Sequence, residues 1–473
     1  MFRQFASGPM LTTDKMMLLQ RFLGSLPGDV AGRLASAIEI DRLVDGKALP
    51  HELILDGLRP VLRGADARKR TPTPLRLFCQ PFEDLLSNVL RKEKQRGRLF
   101  RGHIIPIWQW VSRDLVVAEA KTYGDDIRRL AVRGKYTEAL ARAEVFWPIA
   151  GTAMTEALKA NRKKAALALG GEAVAADAED IAAVLRSGSA MLAVQALLER
   201  NTPALNEELL WGLRGIYDAV VETNLDAAPL VSVVAMRRLA KPWEALKLPR
   251  LVARQTTDAL ISSTDMGLAG EVLFADMDDA REAIMNLRHP HFDIDVLIAN
   301  LASFTTNSTA IVKELEILRA GKWGQRLLKE RAAVGGVMDT FMERAPKEIM
   351  AALPTHKAGY SGGPRVPDLN KPVDPDKVDR AMRYGKVLAN TKLYSVPGSF
   401  GAKHQNAVDE VTSFLRSYTE DLLKELRSAE GPRQEVAQAQ FQLVLDLTVL
   451  LFEPSDADFV RRRGKAAGAL VEG

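Results

Sequence analysis

The 473-residue chain has a single cysteine, Cys79, so no internal disulfide can form, and a reducing compartment is the expectation. A lone thiol beside Leu77 and Phe78 reads more simply as core packing than as a nucleophile. Aromatic residues are also few, at 6%, which leaves little material for stacking against exposed bases. Long apolar runs are missing: the most apolar window, Phe441–Phe452, is broken by Gln442, Asp446 and Thr448 and falls short of the roughly 20 residues of a membrane helix. The stretch from Met1 to Gly24 mixes Arg3, Asp14, Lys15 and Arg21 with apolar residues and has no signal-peptide run. We therefore expect a cytoplasmic protein without a membrane span. At 47% hydrophobic and 26% charged residues, most of the chain can bury a core, and its length predicts two to four folding units.

Recognisable catalytic patterns are absent as well. Ser25, Ser87 and Ser361 lack the Gly-x-Ser-x-Gly elbow that strains a nucleophilic serine into the open. The pair Gly362 and Gly363 is followed by Pro364 and not by Gly-Lys-Ser/Thr, so no phosphate loop closes. Glu-x-x-His pairs of the di-iron type are missing. His51, His103, His356 and His404 are scattered, with no Ser, Cys or Asp at an activating spacing. His289 and His291, with Asp293 and Asp295, form the one group of metal-type side chains. Its position between two helical stretches, with Pro290 fixing a turn, favours Asp293 or Asp295 as a helix N-cap over metal binding. No cofactor or metal is expected. The acidic runs Asp177–Glu179–Asp180 and Asp276–Glu282 read as solvated helix faces or first helical turns.

Alternating β-branched runs are nearly absent, whereas apolar residues recur at three and four positions along most of the chain. The expected fold is all-α: a multi-helix array, either a bundle or a solenoid. Val408, Val411, Leu415, Tyr418 and Leu422 are spaced 3, 4, 3, 4, and Glu430–Gly431–Pro432 then stops that helix before a second apolar one. This pattern predicts a C-terminal helical hairpin over 377–473. Pro354, Pro364, Pro367, Pro372 and Pro375, mixed with three glycines, predict an extended linker over 353–376. From 102 to 352 a central array is expected, with breaks at Gly124, Gly134, Pro148, Gly170–Gly171, Pro203, Pro229, Pro242 and Pro290. Within it, Arg133–Ala141, running on to Trp147 and Pro148, resembles the helix–turn–helix junction of a tetratricopeptide repeat. That repeat returns about every 34 residues, and no second Tyr-x-x-Ala-Leu follows near 168–182, so the likeness covers one junction. The tryptophans, Trp211 included, fall in apolar helical stripes and are expected in the core.

The most distinctive positive feature is local charge. Between Arg59 and Arg101 the chain carries twelve Lys or Arg and four Asp or Glu, a net +8 within a chain whose total is +5. The remainder is therefore close to neutral, and the pI near 9.1 comes from this basic N-terminal module, residues 1–101. Pro81–Leu90 reads as an amphipathic helix leading into the second half of the cluster. Arg63, Arg68, Lys69, Arg70, Arg91, Lys92, Lys94, Arg96 and Arg98 are the candidate contacts to a polyanion, either nucleic acid or an acidic membrane surface, or to an acidic protein. The competing reading is a solvated basic face that pairs with Asp or Glu elsewhere in the fold. The leading functional expectation is a non-enzymatic scaffold or adaptor, monomeric or dimeric, with a protein partner. Polyanion binding and a helical enzyme without a sequence motif are the alternatives.

Overall fold

The structure is a computed structural model. It describes residues 72–91, 93–254, 258–285, 292–358 and 365–468, together with 25–43 and isolated positions between 19 and 61. Among these residues the chain is all-α, and its β structure amounts to two two-stranded ribbons and an isolated bridge between Thr202 and Leu239. It divides into two compact units, Met1–Lys241 and Pro242–Gly473. The boundary falls at Pro242, inside the stretch read from sequence as one array.

In the first unit, α1 is Gly28–Leu43 and α2 is Pro74–Cys79, the latter capped by the Thr73 hydroxyl and ending on the buried Cys79. The helix expected from Pro81 to Leu90 does not form. Its place is taken by a 3-10 turn, Gln80–Leu85, and a short strand, β1, Leu86–Ser87, which pairs in parallel with β2, Leu99–Phe100. Side-chain pairing explains the difference. Asp84 is held by Arg238, whose Nη1 donates to Oδ2 at 3.0 Å, and that tie fixes a tight turn where a helix would carry the carboxylate past its partner.

Beyond this ribbon come α3 (Ile104–Trp110), a π turn over Val111–Leu115, α4 (Val117–Val132) and α5 (Tyr136–Ala160). They are followed by α6 (Arg162–Leu169), α7 (Glu172–Arg186), α8 (Gly188–Leu197), α9 (Glu207–Thr223) and α10 (Ala228–Met236). Two expected breaks are absent. Gly124 lies within α4, and Pro148 within α5, where the surrounding apolar face buries Phe146, Trp147 and Ala150 and outweighs the one lost helical hydrogen bond. Gly134, with φ +70, and Gly170, with φ +91, do end their helices, as left-handed backbone favours.

The core of this unit is aromatic. Phe78 lies 4.9 Å from Trp108 between ring centroids, and Tyr123 stacks on Phe146 at 4.3 Å. Each ring system buries about 150–250 Å². At ~25 cal/mol per Å² that is a gross gain of roughly 4–6 kcal/mol apiece. The polar atoms are satisfied: Tyr123 donates to the Pro74 carbonyl at 2.8 Å, and Trp147 Nε1 donates to that of Leu77 at 3.0 Å. Helices α5 and α7 cross at Gly151, where a Cβ would fall 2.8 Å from the Ala182 carbonyl oxygen.

The second unit contains α11 (Lys247–Ala253), α12 (Asp258–Ser262), α13 (Leu268–Met285), α14 (Ile294–Glu314) and α15 (Lys322–Ala351). Asp293 caps α14, accepting from the amides of Asp295 and Val296 at 2.9 and 3.2 Å, which is the capping role expected of it. His289 and His291 lie outside the described residues. Strands β3 (Thr355–Lys357) and β4 (Arg365–Pro367) then pair antiparallel, with Thr355 opposite Pro367. Of the Pro/Gly stretch, the described residues 355–357 and 365–367 are thus extended and paired, and 359–364 lie outside the described residues. The helices that follow are α16 (Pro375–Asn390), α17 (Lys392–Ser395), α18 (Gly401–Leu426), α19 (Pro432–Leu451) and α20 (Pro454–Ala466). Helices α18 and α19 pack together through Val411, Leu415, Tyr418 and Leu422, the residues that set the 3,4 spacing. Gln440 on α19 is fully buried and donates to the carbonyls of Asp368 and Lys371 at 3.0 and 3.1 Å, while accepting from Tyr418 Oη at 2.9 Å.

Candidate functional site

The second half of the basic window is engaged by carboxylates inside the first unit. Between β1 and β2 the chain forms a loop that carries Arg91, Lys94, Arg96 and Arg98. Facing it are Asp177 and Asp180, one helical turn apart on α7 and only 3% and 6% exposed. Lys94 Nζ reaches both carboxylates, at 2.6 Å to Asp177 and 2.7 Å to Asp180. It also donates to the Arg98 carbonyl at 2.8 Å, which closes the loop on itself. Arg96 lies 3.7 Å from Asp180 and donates to the Asp226 carbonyl at 2.6 Å. The Asp226 carboxylate is in turn held by Arg186 at 2.8 Å.

Backbone groups complete the lock. The Gly97 amide donates to Asp180 at 3.0 Å and the Phe100 amide to Asp177 at 2.9 Å. His103 Nδ1 lies 2.8 Å from the same Asp177 oxygen. Two carboxylates can be buried here because every oxygen faces a cation or an N–H; an unpaired buried charge would cost several kcal/mol. The reading of Asp177 and Asp180 as a solvated face is therefore corrected. Glu179, on the other side of the helix, does stay exposed and pairs with Arg162. Sequence inspection also missed the His103–Asp177 contact, since the two residues are 74 positions apart. Of the remaining candidate contacts, Arg63, Arg68, Lys69, Arg70 and Lys92 lie outside the described residues. Arg91 and Arg98 are half-buried.

A second feature comes from the tryptophans. Trp108, Trp110, Trp147 and Trp323 are buried, as expected, but Trp211 is 56% exposed on α9. The core expectation fails for this residue because α9 buries the opposite side, through Leu213 and Val220. Trp211, Gly215, Ala219 and Glu222 follow one another at helical spacing, and all four are exposed. At Gly215 a Cβ would meet nothing within 4 Å, so the backbone one turn on from Trp211 is bare helix surface. Glu207 and Glu208, in the first turn, and Glu222 supply exposed carboxylates along the face. Asp218 is engaged by Arg214 Nε at 2.8 Å to each oxygen. Leu225, 70% exposed, lies just beyond the end of the helix. The face thus presents an exposed indole followed by two small residues, bordered by exposed carboxylates.

Among the described residues, no group of three or more His, Cys, Asp or Glu side chains is placed to hold a metal ion. No single described helix is long and apolar enough to cross a membrane. No protein family, curated protein or solved structure matches the chain.

Proposed function

We propose that the protein is a non-enzymatic helical scaffold or adaptor that docks a protein partner on the outer face of α9. The observation that carries this reading is the 56% exposure of Trp211 beside the bare helix surface at Gly215. Tryptophan is among the residues most enriched in binding hot spots, and an indole left more than half exposed keeps apolar area that a partner can cover. The carboxylates of Glu207, Glu208 and Glu222 select the partner's chemistry: a basic segment that presents an apolar side chain to the Trp211 indole and Lys or Arg to the border. An arginine stacked on the indole would add a cation–π contact.

Polyanion binding through the 91–98 loop is the weaker reading. Lys94 and Arg96 already face Asp177 and Asp180, and binding a phosphate there means breaking those pairs. The test is a screen of basic helical peptides against the full chain and its Trp211→Ala variant, with helicity followed by circular dichroism. Binders that lose about thirtyfold in affinity on Trp211→Ala, the mark of a hot spot of about 2 kcal/mol, support the proposal. A set of binders indifferent to Trp211→Ala refutes it.

A further inference from the structure

The first unit contains a groove that neither the basic loop nor the α9 face uses. It has a volume of about 290 Å³, at the small end of the range for ligand pockets. Its floor is apolar, formed by Pro74, Trp108, Ala120 and Gly124, all buried. Three cations, Arg113, Lys121 and Arg128, line it, and no carboxylate does. Arg113 and Lys121 pair with no carboxylate among the described residues. Arg128 donates to Asp125 at 2.9 Å, an exposed i,i+3 pair of the kind that yields little energy and competes weakly with a ligand.

Two features of the backbone keep this space open. Gly124 lies in the interior of α4, where glycine costs about 1 kcal/mol relative to alanine. Packing does not demand it: a Cβ there would meet only the Arg128 guanidinium, at 3.8 Å. Its effect is to leave the floor of the groove bare. The wall is the π turn, in which the Val116 amide donates five residues back to the Val111 carbonyl at 3.0 Å. Such a turn inserts one residue into the helical register and is less stable than the α form, and π turns recur at functional sites. Here the turn carries Ser112 and Arg113 on the groove's lining, between Trp108 on α3 and Val117 on α4.

We infer that this groove is a binding site for a small organic anion: a phosphate, sulfate or carboxylate joined to one aryl ring or short alkyl chain. The apolar part lies over Trp108 and Gly124, and the charged part lies among Arg113, Lys121 and Arg128. Both halves are needed. The floor alone buries too little area for firm binding, and exposed cations alone bind phosphate weakly in water.

The test is calorimetric titration of the full chain with hexyl phosphate, with inorganic phosphate and 1-hexanol as partial ligands. One hexyl phosphate per chain is expected, bound at least tenfold tighter than either partial ligand. Lys121→Glu, at an exposed position, is expected to weaken it about tenfold, the equivalent of one lost charge-assisted contact. Gly124→Leu fills the floor and is expected to abolish binding while retaining helicity. Hexyl phosphate binding no tighter than inorganic phosphate overturns the inference. So does binding unchanged by Lys121→Glu, whatever becomes of the Gly124 variant.

Discussion

Replacing Asp177 with alanine should release the basic loop without unfolding the rest of the first unit. In the native protein its Oδ1 accepts from Lys94 at 2.6 Å, and its Oδ2 accepts from the Phe100 amide at 2.9 Å and lies 2.8 Å from His103 Nδ1. Breaking a buried ion pair by deleting one partner costs ~3–5 kcal/mol. Here Lys94 keeps Asp180 at 2.7 Å and is itself a quarter exposed, so the low end of that range applies to the charge. The Phe100 amide loses its acceptor, which for a half-buried group adds ~1 kcal/mol. We expect a total of ~4 kcal/mol, felt mainly as local opening of residues 93–103. Hydrogen exchange measured by mass spectrometry reads this directly. The Phe100 amide should exchange on the order of 1000-fold faster in Asp177→Ala, since ~1.4 kcal/mol corresponds to tenfold. The Gly97 amide, held by Asp180, should accelerate less. The reasoning fails if Phe100 exchange is unchanged. It also fails if Asp177→Asn, whose side-chain oxygen can still accept from the Phe100 amide, is as open as Asp177→Ala.

Gln440→Leu removes an amide that serves two carbonyls and the Tyr418 hydroxyl in a fully buried position. A loss of ~2–3 kcal/mol is expected, seen as a lower denaturation midpoint and faster exchange in the segment that follows β4. Glu271 supplies the pH dependence. Burial alone would raise its carboxyl, but hydrogen bonds from Lys322 and Trp323, with the charges of Lys322 and Arg326, leave it below the ordinary glutamate value. A lowered carboxyl stabilises the fold above the unfolded value, about 4.3, and that stabilisation is lost as pH falls through the lowered folded value. The difference in unfolding free energy between the unmodified chain and Glu271→Gln should therefore be largest near neutral pH and shrink below about pH 4. A difference that grows on acidification contradicts this reading.

Much of the architecture was legible because it depends on local periodicity. The 3,4 spacing from Val408 to Leu422, the stop at Gly431–Pro432 and the left-handed glycines at 134 and 170 are properties of a few adjacent residues. The cap at Asp293 is equally local, since a carboxylate reaches the amides two and three positions on. Composition alone settled the absence of an internal disulfide. What tertiary structure decided is the environment of each charged or aromatic side chain. Asp177 and Glu179 are two residues apart in the same acidic run, yet one is buried against a loop some 80 residues upstream and the other is exposed. Pro148 continues a helix because Trp147 and Phe146 beside it are packed, a gain that outweighs one hydrogen bond. Trp211 looks like any tryptophan in an apolar stripe; only the burial of the opposite side of α9, through Leu213 and Val220, leaves it exposed. Periodicity follows from bonded geometry and can be read along the chain, whereas burial and charge pairing depend on which distant segments meet.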